Sequence, residues 1–116
     1  MIKVYQIQLS NSEIDAINSG ETSARIKAYF DRSFEGKFKA ENFQYYTHVA
    51  NVDTNDMENA FEAMTLWEES IFFEDIFIQT VGRCSSMSVG DILEYNGQLY
   101  YCASFGFELL ANYQKD

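Results

Sequence analysis

The chain has 116 residues, a formal net charge of −10, 16% aromatic side chains, two cysteines and no proline. That length suits one domain, 1–116, whose core draws on large aromatic side chains. No apolar run reaches the ~18 residues of a membrane helix, two cysteines are too few for a disulfide scaffold, and an acidic field of this size repels phosphate backbones.

The opening stretch MIKVYQIQLS is too short and too polar for the apolar segment of a signal peptide, so a soluble, cytoplasmic protein is expected. Residues 2–9 alternate, with Tyr5, Ile7 and Leu9 against Gln6 and Gln8, which predicts a half-buried strand. Ser10 and Glu13 have the spacing of a capping box, and Leu9 and Ile14 that of the hydrophobic staple outside it. A short helix follows, with Ile14 and Ile17 as its apolar side and Gly20 as its end.

A second helix is expected over 22–34. Ile26, Tyr29, Phe30 and Phe34 fall on one stripe at helical spacing. Arg25, Lys27 and Arg32 then lie off that stripe, and Gly36 caps the helix. Aromatic and β-branched residues predict a strand over 43–49. A third helix begins near residue 53, capped by Asp53 or Thr54, with Asp56 and Glu58 favouring its positive end. Its stripe of Met57, Ala60, Phe61 and Met64 reads as core. A strand is expected over 76–81, with Trp67 under the adjoining loop. Strands over 91–95 and 98–103 flank Asn96-Gly97, which suits the type I′ turn of a two-residue hairpin. A final helical turn is expected over 105–114. The fold class is α+β: one mostly antiparallel sheet, about three helices packed on it and a C-terminal β-hairpin.

The charge is unevenly spread. Residues 1–52 carry six acids and six bases, whereas 53–80 carry eight acids and no base. Those eight are Asp53, Asp56, Glu58, Glu62, Glu68, Glu69, Glu74 and Asp75. Such a segment attracts basic surfaces and is the candidate partner-binding region, set against a solvated face that only keeps the protein soluble.

No catalytic signature, metal site or cofactor is expected. Cys84, Cys102 and His48 are the only soft ligands, and no close Cys or His pair exists. Cys84 has a basic neighbour, Arg83, that lowers a thiol pKa where the two are close. A dyad with His48 needs the fold to join them. His48 reads as a hydrogen-bonded strand histidine. Adjacent carboxylates such as Glu68 and Glu69 do not face each other on a helix or a strand.

Residues 86–110, SMSVGDILEYNGQLYYCASFGFELL, carry a recognisable pattern. Ser86, Ser88, Val89, Gly90 and Asp91 lead into a strand and a short turn. Tyr100, Tyr101, Ser104, Phe105, Gly106 and Phe107 follow. This resembles a C-terminal signature of small bacteriophage and mobile-element proteins grouped with YodL-like domains, and 46–62 is similar to the preceding part of such proteins. The resemblance implies a phage or mobile-element origin, hence a host-cell cytoplasm, and no particular activity. From the residues alone, Gly90 and Asp91 supply a turn into the strand, with Asp91 accepting backbone N–H bonds. Residues 104–107 then turn the chain off the sheet and place Phe105 and Phe107 in the core. The Ser-Val-Gly-Asp text is also similar to strand starts in PUA-like barrels.

Three functions follow in order of expectation. The first is a non-enzymatic accessory protein that binds a basic surface of a host or phage protein, as a takeover or anti-defence inhibitor. The second is a nucleic-acid-associated module with an aromatic sheet face, which requires Lys3, Arg25, Lys27, Arg32, Lys37 and Lys39 on one side. The third is an enzyme using Cys84 or Cys102.

Overall fold

A computed structural model describes residues 1–34, 40–70 and 74–110. The strands are β1 (Ile2–Gln6), β2 (Thr47–Val52), β3 (Ile78–Thr80), β4 (Ile92–Tyr95), β5 (Gln98–Cys102) and β6 (Phe107–Leu109). The helices are α1 (Asn11–Asn18), α2 (Ala24–Phe34) and α3 (Met57–Leu66). Short 3-10 turns occupy Ala40–Tyr45 and Trp67–Glu69. The strands form one sheet in the order β3-β2-β1-β4-β5-β6. Every neighbouring pair is antiparallel. The α+β class is thus the observed one, with the hairpin β4–β5 near the C-terminal end.

Both sheet faces are covered, because successive side chains of a strand point to opposite sides. Ile2 and Val4 of β1 cluster with Ala50, Val52 and Leu93, and Ala60 and Met64 of α3 close that cluster. Tyr5 and Ile7 cluster instead with Ile92, Leu99 and Tyr46, and Ala28 of α2 joins them. The register between β1 and β2 shifts between Val4 and Tyr5, a bulge-type irregularity in the central pair. With both faces and both edges of β1 covered, Gln6 is only 2% exposed. It is not the solvent-side residue that simple alternation predicts.

Local signals locate several elements. Ser10 and Glu13 form the full capping box. The N–H groups of Gly20 and Glu21 return to the carbonyls of Ile17 and Ala16, a Schellman closure with Gly20 at φ +79°. Asn96 and Gly97 both have positive φ, as a type I′ turn demands. The stripe of α3 packs as core, with Ala60 and Met64 buried and Met57 and Phe61 against them.

Other expectations are corrected. The cap of α3 is Asp56, whose carboxylate accepts from the Asn59 N–H, rather than Asp53 or Thr54. Thr54 instead accepts from the Asp56 N–H. Residues 43–45 belong to a 3-10 turn and the strand starts at Thr47, because Tyr46 is buried against the second cluster, with Phe43 and Tyr45 packed beside it. Residues 107–109 are strand β6 and not a helical turn, since they continue the sheet beyond β5. Hence 104–107 do not leave the sheet. Phe105 is 96% exposed at the tip of the β5–β6 connection, while Phe107 alone packs inward, 6.4 Å from Phe61.

Helix α2 is rotated from its predicted orientation. Phe30 is half exposed, and Arg25, Ala28, Tyr29 and Arg32 turn inward beside Ile26. Ser23 accepts from the Ile26 N–H at the helix start. The expected cap Gly36, the side chain of Phe34, the bases Lys37 and Lys39 and residues 111–114 lie outside the described residues.

Candidate functional site

The eight acids of 53–80 lie on α3 and on the loops at its two ends. Asp53, Asp56, Glu58, Glu68, Glu69, Glu74 and Asp75 are exposed, and Glu62 is half-buried. None forms an ion pair with a described base, since the three ion pairs use Glu94, Glu13 and Asp91. Two apolar side chains stand out in the same region: Phe77, 68% exposed, and Leu66, 42% exposed. Phe77 also lines a hollow of about 320 Å³ together with Ala63, Trp67, Glu74, Ile76 and Ile78. Trp67, at φ +51°, is held by its indole N–H donating to the Ser86 hydroxyl.

The signature residues build a different feature, a buried polar junction between α2, β1 and the start of β4. Asp91 is 2% exposed. Its Oδ2 accepts from the Gln6 side-chain amide and from the Ser88 N–H, each at 3.0 Å, and its Oδ1 lies 3.5 Å from Arg32 Nη1. The same guanidinium nitrogen donates to the Ser88 hydroxyl and to the Val89 carbonyl. The Arg32 carbonyl, in the last turn of α2 where intrahelical partners run out, accepts from the Tyr101 hydroxyl. The Tyr46 hydroxyl donates to the Gly90 carbonyl. Burial pushes the Asp91 carboxyl up to about 6, against the opposing pull of the Ser88 N–H, Arg32 and Gln6. The Nε–H of Arg32 is buried without a partner among the described residues. That is an unsatisfied donor of a kind that costs roughly 1–3 kcal/mol.

Gln6 extends the junction. Its amide donates to the Ser85 carbonyl and accepts from the Ser85 N–H, so a side chain does for the 83–88 segment what a strand neighbour does for a strand. The Gln8 side chain adds a further bond to Gln6. Ser88 and Gly90 therefore have structural positions in the turn, with Asp91 closing it. Tyr101 is fully buried, and Ser104 and Gly106 sit in the exposed β5–β6 turn.

Next to the junction a cleft of about 370 Å³ opens between α1, α2 and the 83–88 segment. Gln6, Gln8, Arg32, Arg83, Ser85 and Asp91 give it polar walls. Leu9, Ile14, Ile17 and Tyr29 supply an apolar side. All three arginines of the chain gather around residues 6–9. Arg25 donates to the Gln8 carbonyl, Arg83 to the Leu9 carbonyl, and Arg32 meets the carboxylate that Gln6 holds. Arg25 and Arg32 would lie on the outer side of α2 if the aromatic stripe alone oriented it. The signal for the true orientation is the inward set 25, 28, 29 and 32, which also has helical spacing.

The remaining candidates separate. His48 Nε2 lies 2.8 Å from Asn51 Oδ1 and 3.1 Å from the Ala50 carbonyl, and its ring packs by Tyr5. Burial raises both thiols, Cys102 to about 12 and Cys84 above its ordinary value, with Asp91 acting in the same direction. Cys84 is thus shifted up and not down, because burial and Asp91 act on it and Arg83 does not offset them. No group of three metal-ligating side chains occurs among the described residues. Lys3 pairs with Glu94 and Arg25 with Glu13. No described helix is long and apolar enough to cross a membrane.

Comparison with known proteins finds no matching family model, no matching curated protein and no matching solved structure.

Proposed function

We propose that this protein is a non-enzymatic binding factor that docks the acidic face around α3 onto a basic surface of another protein. One observation carries the reading: seven exposed carboxylates, none neutralised by a described base, fall in the same stretch of chain as the exposed side chains of Phe77 and Leu66. An apolar centre with a charged rim is the composition of a protein interface. A rim of one sign steers a partner of the other sign and rejects nucleic acid. The resemblance of 86–110 to YodL-like proteins supports an accessory role in a phage or mobile element, acting on a host or phage protein in the cytoplasm.

Affinity capture from bacterial lysate at low and high salt tests the proposal. The wild-type chain is compared with a variant carrying Glu58→Gln, Glu68→Gln and Glu69→Gln, and with a Phe77→Ser variant. A partner retained by the wild type at low salt, released at high salt and lost from both variants supports it. Equal capture by the charge-depleted variant, or no specific capture at low salt, overturns it.

A further inference from the structure

The cleft beside the polar junction goes beyond the acidic face and is independent of it. Its volume of about 370 Å³ falls within the range of small-molecule pockets, roughly 300–1,000 Å³. Its chemistry runs against that of the chain as a whole. Two guanidinium groups, Arg32 and Arg83, line it against one carboxylate, Asp91, in a protein of net charge −10. Asp91 is already engaged by Arg32, Gln6 and Ser88. Arg83 is exposed and has no carboxylate within ion-pair distance among the described residues. One of its nitrogens donates to the Leu9 carbonyl. A guanidinium has five N–H donors, so others remain for an anion.

The opposite wall carries an independent observation. Helix α1 has firm caps at both ends but buries no residue. Ile14 is 41% exposed, and it and Ile17 line the cleft instead of a packed core. A well-formed helix whose apolar side faces an open cavity leaves that side without a packed core among the described residues. Tyr29 adds an aromatic surface nearby.

We propose that this cleft binds a small organic carboxylate with an apolar body. The carboxylate pairs with Arg83, whose planar fork matches two carboxylate oxygens. Ser85 and Gln8 flank that position as hydrogen-bonding groups. The body lies along Ile14, Ile17 and Tyr29. A bare inorganic anion leaves the apolar wall uncovered, and a neutral ligand leaves Arg83 unpaired.

The test is a titration of the 15N-labelled full chain with 3-phenylpropionate, followed by amide shifts. Its neutral analogue 3-phenylpropionamide and inorganic phosphate are the comparators. Saturable shifts confined to 6–9, 14–17 and 83–88 are expected with 3-phenylpropionate. Binding at least tenfold weaker is expected for both comparators. Arg83→Gln weakens the carboxylate at least fivefold and leaves the amide unchanged, while Arg83→Lys recovers part of the loss. Ile14→Gln, at an exposed position, weakens both organic probes. The proposal is overturned by an absence of saturable shifts in those segments. It is equally overturned by amide or phosphate binding as tight as the carboxylate, or by Arg83→Gln binding as wild type with its spectrum otherwise preserved.

Discussion

Gly90 stands against the backbone of Arg32: a β-carbon on Gly90 would lie 2.5 Å from the Arg32 carbonyl oxygen and 2.9 Å from the Arg32 Cγ. Its φ of +97° is also one that side chains resist. The close approach lets Arg32 reach Asp91 while Tyr101 satisfies the Arg32 carbonyl. Gly90→Ala must either move α2 or break the junction. Unusual backbone alone costs about 1–3 kcal/mol, and the collision with backbone atoms adds to it. Gly97, at φ +76° with nothing within 4 Å of a β-carbon, is the control. Urea unfolding is expected to show a clearly larger loss for Gly90→Ala than for Gly97→Ala. Equal losses would show that the approach to Arg32 has no energetic consequence.

The Asp91 carboxyl makes stability depend on pH. Burial holds it at about 6 in the folded protein, against ~3.9 in an unfolded chain. Between those values the folded state binds more protons than the unfolded one. Its contribution is therefore fully present below the unfolded value and is lost as pH rises through about 6. At 1.36 kcal/mol per unit the ceiling is about 3 kcal/mol. The difference in unfolding free energy between wild type and Asp91→Asn should fall from pH 4 to pH 7, because the exposed acids cancel in that difference. A difference that is flat or rises with pH contradicts the assignment.

The two thiols should be sluggish. With Cys102 at about 12 and Cys84 also raised, little thiolate exists near neutrality. Alkylation by iodoacetamide at pH 7.5 is expected to be at least tenfold slower at Cys102 than for free cysteine, and slower than free cysteine at Cys84. Cys102, buried in β5, should react only on unfolding. A cysteine that reacts faster than the free amino acid would restore a nucleophilic role.

Phe105 and Phe107 should differ in their contribution to stability. Phe105→Ser alters a side chain that is 96% exposed and is expected within about 0.5 kcal/mol of wild type. Phe107 is half-buried against Phe61. Phe107→Ala should cost about 1–3 kcal/mol, below the range for a fully buried phenylalanine. Thermal melts of the two variants decide the point, and the reverse order would return Phe105 to the core.

Features whose physics closes within a few residues were legible in the sequence. The Ser10–Glu13 box, the Gly20 closure, the Asn96-Gly97 turn and the stripe of α3 all rest on hydrogen bonds or helical spacing over one or two turns. The alternating strands and this local punctuation were enough for the α+β class. The density of acids on 53–80 is likewise a property of the text.

The tertiary structure decided the rest. Gln6 and Asp91 are 85 positions apart, and nothing local announces that a glutamine on the polar side of a strand will be buried. Phe30 and Arg32 both lie on α2, and local preference favours burying the phenylalanine. The cost of leaving Asp91 unpaired in the interior turns Arg32 inward instead. The cleft exists only because that choice brings α2, the 83–88 segment and the apolar side of α1 around residues 6–9. Local bonding determines which elements form. The need to satisfy a buried charge across the sheet determines how they turn and what they leave open.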